Sequence, residues 1–142
     1  MKILLLLFII FSNITYSYIN IYPTKFEKNI THGVNENFKL YNRSGKQIRY
    51  RIYLEKSEVN DMSTWSEVYP NSITLNPLEE KEIRVSISPP KNTPNGRYKA
   101  KLIIKEVGIP GKNKDNKVNF YTLFKLNMNG YIGDDNEKIK KN

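Results

Sequence analysis

Side chains able to do chemistry are scarce in this 142-residue chain. Its one histidine, His32, stands beside Gly33 in the polar stretch 29–35. A hydrolytic triad needs a nucleophile and an orienting carboxylate around the histidine, and no nucleophile motif accompanies this one. A hydrolase built on His32 is therefore the weakest reading, and an exposed structural histidine the expected one. The densest carboxylates, Glu79, Glu80 and Glu82, sit at the mouth of a turn, where water solvates them and neither a metal nor an acid–base pair is called for. The sequence has no cysteine. That removes thiol catalysis, disulfides, lipid attachment through cysteine and cysteine-ligated metal together. No glycine-rich phosphate loop occurs. Asn29-Ile30-Thr31 and Asn42-Arg43-Ser44 fit the N-glycosylation pattern, which matters only in a eukaryotic secretory route. The inventory predicts no enzyme, no cofactor and no metal.

Two features suit binding better than catalysis. One is charge sorted by face: Arg49 and Arg51 alternate with Ile48, Tyr50 and Ile52, while Arg97, Lys99 and Lys101 alternate with Tyr98, Ala100 and Leu102. If both runs are strands, five cations share one outer face. The formal net charge is +9, which favours acidic partners in encounter without specifying one. The other feature is residues 118–128. Val118, Phe120, Thr122, Phe124, Leu126 and Met128 form one side, yet Tyr121 and Leu123 make the opposite side apolar as well. A half-buried strand needs only one such side. The surplus is either covered by a loop or open to a partner strand.

The elements that must hold these residues read as strands. Residues 72–75 and 82–88 flank a turn led by Asn76-Pro77, and Ile83, Val85 and Ile87 alternate with Glu82, Arg84, Ser86 and Ser88 at the period of a half-buried strand. Residues 19–26 begin as a strand and meet Pro23, which cannot donate to a ladder and so marks an edge or a switch between sheets. Residues 29–35 read as a loop, 37–41 as a strand, 42–46 as a turn with Gly45 free for positive φ, and 47–55 as the return strand. Residues 56–62 read as an exposed connection, 65–69 as a short strand with Trp65 an anchor at rim or core, and 97–106 as a further strand. Such spacing predicts an all-β, immunoglobulin-like sandwich of two antiparallel sheets with about seven or eight strands, in which the third, sixth and last strands are neighbours.

At the front, Lys2 followed by the apolar run 3–11 and small or polar residues to Ser17 reads as a secretory signal peptide over residues 1–17. The run is shorter than the roughly 20 residues of a membrane span. The domain is then expected over 18–132, with a disordered polar tail over 133–142. Export to the periplasm or beyond makes nucleic acid a poor partner, and no membrane span remains after the signal.

With these elements in place, the order of features resembles the amino-terminal domain of PapD-like periplasmic chaperones that assemble pili. The resemblance rests on Pro23-Thr24-Lys25 at the end of the first strand, Leu40-Tyr41-Asn42-Arg43-Ser44, and the run 69–77 leading into Ile83-Arg84-Val85. It also rests on Pro90, Thr93, Gly96 and Tyr98 in the pattern Pro-x-x-Thr-x-x-Gly-x-Tyr. It implies strand donation to a pilin-like subunit along the last strand, with Lys25, Phe120, Tyr121, Leu123, Phe124 and Lys125 as partner-binding residues. Lys25 and Lys125 would stand for the family's two carboxylate-holding cations. The family has a second domain closing the cleft, whereas this chain is expected to hold a single domain. The competing expectation is a surface or periplasmic adhesion or structural module whose basic face, Arg49, Arg51, Arg97, Lys99 and Lys101, meets an acidic partner.

Overall fold

The computed structural model describes residues 19–110 and 121–133. The expected leader, Phe120 and the tail beyond Gly133 lie outside the described residues. Among the described residues nine strands form, β1 (Ile19–Tyr22), β2 (Phe26–Asn29), β3 (Val34–Asn42), β4 (Ile48–Glu55), β5 (Ser66–Tyr69), β6 (Ser72–Leu75), β7 (Glu80–Ile87), β8 (Gly96–Val107) and β9 (Leu123–Ile132). They make a four-stranded sheet in the order β1-β3-β7-β5 and a five-stranded sheet in the order β2-β9-β8-β4-β6. The chain is thus an all-β, immunoglobulin-like sandwich.

Alternation drives the two layers together. Phe38 and Leu40 of β3 and Ile83, Val85 and Ile87 of β7 meet Tyr50 and Ile52 of β4, Leu102 and Ile104 of β8 and Leu126 and Met128 of β9, all buried. Each such side chain contributes about 1.5–3 kcal/mol on leaving water, and with no cysteine in the chain this packing carries the fold. Between the layers the chain switches sheets at two Tyr–Pro steps, Tyr22-Pro23 and Tyr69-Pro70, both with cis peptide bonds. The first carries it from β1 to β2, the second from β5 to β6. Both tyrosines project into solvent, at 72% and 73% exposure.

The strand count exceeds the seven or eight expected because Pro23 divides the run 19–26, which reads as one strand, into β1 and β2, whereas the runs on either side of Pro70 already read as separate strands. Pro23 behaves as the sheet switch its missing N–H implies. Other expectations need correction. The predicted loop 29–35 shrinks to a turn, since β2 runs to Asn29 and β3 starts at Val34; Gly33, at φ +78°, makes the reversal. Gly45 does not adopt positive φ. The turn after β3 is shaped instead by Asn42, wholly buried, whose Nδ2 donates toward the Lys46, Leu75 and Asn76 carbonyls while its Oδ1 accepts from the Ser44 amide and hydroxyl. The connection 56–62 is not simply exposed. Met62 is wholly buried and its amide donates to the Lys99 carbonyl, while the Lys99 amide donates to that of Asn60. Trp65 ends a single 3-10 turn, Ser63–Trp65. It is an anchor: its indole donates to the Asp61 carbonyl at 3.0 Å and its ring stands edge-on to Tyr98 at 5.0 Å. The last strand starts at Leu123 and runs to Ile132, past the expected end at Met128. Asn129 and Gly130 look like turn residues in sequence, but β2 and β8 on either side hold them extended.

Candidate functional site

The last strand is paired unequally on its two sides. Along one side β8 follows it throughout, from Lys105 opposite Leu123 to Gly96 opposite Ile132. Along the other, β2 lies parallel to it only from Phe26 opposite Met128 to Asn29 opposite Tyr131. The Ile30 amide extends the contact by donating to the Tyr131 carbonyl at 2.9 Å. Because the chain joins this sheet only after Pro23, residues 123–127 have no described strand on their outer edge. An unpaired row of backbone donors and acceptors is a template for another strand.

Side chains around this edge follow the alternation read from sequence. Leu126 and Met128 are buried and Phe124 packs partly against the core, while Leu123 and Tyr121 are 51% and 54% exposed. The approach to the strand is pinned: the Thr122 amide donates to Glu106 Oε2 at 2.9 Å and the Glu106 amide to the Thr122 carbonyl at 2.8 Å. Exposed apolar surface is thus held in place beside an open edge.

The two lysines named by the resemblance are held separately. Lys25 Nζ lies 2.7 Å from Glu27 Oε2, and Lys125 Nζ lies 3.7 Å from Glu55 Oε2 on β4. Lys125 therefore reaches across β8, away from the open edge. Solvent-exposed pairs of this kind contribute about 0–1 kcal/mol, so neither lysine is locked against taking a different partner.

Arg49 and Arg51 on β4 and Arg97, Lys99 and Lys101 on β8 lie on adjacent strands of the five-stranded sheet. Antiparallel register spreads them. Arg51 stands opposite Lys105, Lys101 opposite Glu55, and Arg97 and Lys99 lie past the end of β4. Between these groups is a residue that sequence reading missed. Ile103 points with the lysines, outside the core cluster, yet is 1% exposed, flanked in register by Tyr53 and Lys125. The outer face is therefore basic around an apolar centre. The signal was present as Tyr53, Ile103 and Leu123 in outward positions, but only the strand order brings them together.

The remaining polar groups do structural work. His32 is exposed in the turn between β2 and β3. Glu80 and Glu82 face Lys39 at 3.4 and 3.7 Å, and Glu79 faces Lys81 at 3.5 Å. A hydrogen bond from the Asn76 amide, assisted by Lys81 against a smaller desolvation cost, holds Glu79 below the usual glutamate range. Burial, together with the charge of Glu106, pushes the Tyr50 phenol far above its ordinary value, so it stays un-ionised. Among the described residues no group of His, Asp and Glu converges as a metal site, and no helix is long and apolar enough to cross a membrane.

No known protein family matches the sequence, and no curated protein does. Solved structures do match in fold. The Escherichia coli chaperone DraB is similar at TM-score 0.63 and 12% identity, over 80% of this chain and 54% of that one. A chain of the CsuC–CsuE chaperone–tip adhesion subunit pre-assembly complex, from archaic chaperone-usher Csu pili of Acinetobacter baumannii, is similar at TM-score 0.60 and 16% identity, over 81% and 57%. SSP-19, an MSP-domain protein like family member of Caenorhabditis elegans, is similar at TM-score 0.58 and 14% identity, over 79% of this chain and 98% of SSP-19. The chain thus spans little more than half of DraB and of the matched Csu chain, and nearly all of SSP-19. At these identities the likeness is one of fold.

Proposed function

We propose that this chain is an exported, periplasmic chaperone-like protein that holds a pilin-like subunit by strand addition along β9. The observation that carries the reading is the open edge at residues 123–127, with exposed Leu123 and Tyr121 beside it. A subunit strand laid there makes main-chain hydrogen bonds to β9, and apolar side chains on either strand find cover. Leu123 and Tyr121 supply apolar contact, Phe124 borders the core, and Lys125 and Lys25 are free to exchange weak internal pairs for a carboxylate of the subunit. Phe120 belongs to the same proposed set. The leader over 1–17, the domain over 18–132 and the tail over 133–142 complete the reading. The resemblance to DraB and to the CsuC–CsuE complex supports it.

The test is capture of co-exported proteins by the full chain, compared with Leu123→Glu and with the double variant K99E/K101E. The reading expects capture to fail for Leu123→Glu and to persist for the double variant. The reverse pattern supports a second reading, an immunoglobulin-like surface or periplasmic module that meets an acidic partner through its basic face. Two observations favour that alternative: the near-complete overlap with SSP-19, and the absence, among the described residues, of a carboxylate partner for Arg97, Lys99 or Lys101.

A further inference from the structure

The opposite side of the sandwich has a second place where pairing stops short. β6 accompanies β4 only from Ile48 opposite Leu75 to Arg51 opposite Ser72. The Ile52 amide then donates to the Asn71 carbonyl at 2.8 Å, and Pro70 takes the chain away to the other sheet. With a period of two, the backbone amide and carbonyl of Leu54 point to that same edge, where no described strand follows. Beside it lies β5, the border strand of the four-stranded sheet, paired with β7 on one side only.

The two edges meet in a groove of about 540 Å³. Ile52 and Leu54 line it from one sheet and Val68 from the other, and each sheet adds an arginine, Arg51 from β4 and Arg84 from β7. Neither guanidinium makes a hydrogen bond or ion pair with any described residue. The wall has one carboxylate, Glu67, which leaves the groove net positive.

We propose that this groove is a second binding site, whose occupant is an extended acidic peptide. An extended chain satisfies the unpaired edge groups of Leu54 and β5, which a compact anion cannot do. Carboxylates on the peptide face Arg51 and Arg84, and apolar residues alternating with them cover the half-buried Leu54 and Val68. A second copy of the chain is a poor occupant, because each copy has net charge +9 and like charge opposes the encounter. The site is independent of strand capture at β9, from which β8 and β4 separate it in the five-stranded sheet.

The test uses two fluorescent, end-blocked peptides, one alternating glutamate with valine and one alternating lysine with valine. Each is titrated into the full chain and its footprint is read by hydrogen exchange. The glutamate peptide is expected to bind, to protect Leu54 and Ser66–Tyr69, and to weaken roughly tenfold when R51Q and R84Q are combined. Thermal melting of the double variant should match the parent, since both arginines are exposed. Four outcomes overturn the proposal: no binding of the glutamate peptide at millimolar concentration, equal binding of the lysine peptide, no effect of the arginine substitutions, or protection confined to residues 123–127. The last would place acidic peptides on β9 and leave the proposed function standing.

Discussion

At the residue scale, two polar side chains are worth more to this molecule than any of its exposed ion pairs. Asn42 has no solvent contact and serves three carbonyls and two donors, tying the end of β3 to the ends of β6 and the following turn. Asn42→Ala leaves several of those groups buried without partners, each costing about 1–3 kcal/mol. A loss of about 2–4 kcal/mol in urea-denaturation stability is therefore expected. A loss below about 1 kcal/mol would show that water reaches the site. Asp61 organises the connection before β5. Burial by itself raises its pKa, but hydrogen bonds from the Ser57 amide and from the Ser63 hydroxyl and amide, with the charge of Lys56, outweigh burial and hold it below the usual aspartate range. A carboxyl depressed on folding stabilises the native state above its unfolded pKa, near 3.9, and that contribution fades as pH falls through the folded value. The stability of Asp61→Asn relative to the parent should thus be constant above about pH 5 and converge below pH 4. Denaturation midpoints across that range measure it, and a gap unchanged at pH 3 would contradict it.

At the scale of elements, the site depends on where β2 begins, with Phe26 opposite Met128. Gly130 of β9 permits the close approach of Ile30, since a Cβ there would sit 2.6 Å from Ile30 Cδ1 and 3.1 Å from both Cγ atoms. Ile30 is wholly buried and β-branched, so it has little room to yield. Gly130→Ala should cost about 1–3 kcal/mol and speed hydrogen exchange at residues 128–131, where β2 leans on β9. Unchanged stability and exchange would mean that β2 tolerates displacement. Leu123→Glu tests the other half of the strand. Half-exposed Leu123 contributes little to the core, so stability should change by no more than about 0.5 kcal/mol while subunit capture is lost. A cooperative loss of folding would instead identify Leu123 as structural.

Much of this was legible in the sequence. The two-sided apolar character of Tyr121, Leu123 and Phe124, the sorting of Arg49 and Arg51 from Ile48 and Tyr50, and the proline switch at Pro23 all follow from period-two alternation and from the missing proline N–H. What escaped notice depends on tertiary neighbours. Nothing local says that Asn42 is buried, that Ile103 is hidden on a face of lysines, or that Asn129 and Gly130 continue a strand. The role of Pro70, which opens the β4 edge just as Pro23 limits β2 beside β9, needs the strand order of both sheets.

For the whole molecule, the sandwich has two flanks, each left half-open by a sheet-switching strand, within a chain of formal charge +9. Positive charge hastens encounter with acidic partners and is screened by salt, whereas edge pairing and apolar contact are not. Capture of a subunit at β9 should accordingly form more slowly at high ionic strength but, once formed, dissociate at a rate little changed by salt; stopped-flow association and dissociation read the two separately. A dissociation rate rising steeply with salt would indicate a charge-held complex on the basic face instead. The most direct test is hydrogen exchange, amide by amide, along β9 in the free chain and in complex with a captured subunit. Open-edge amides within residues 123–127 should exchange faster than their counterparts in 128–131 when free and become protected in the complex. Equal protection of both halves in the free chain, or an edge still exchanging when the subunit is bound, would contradict strand addition at β9.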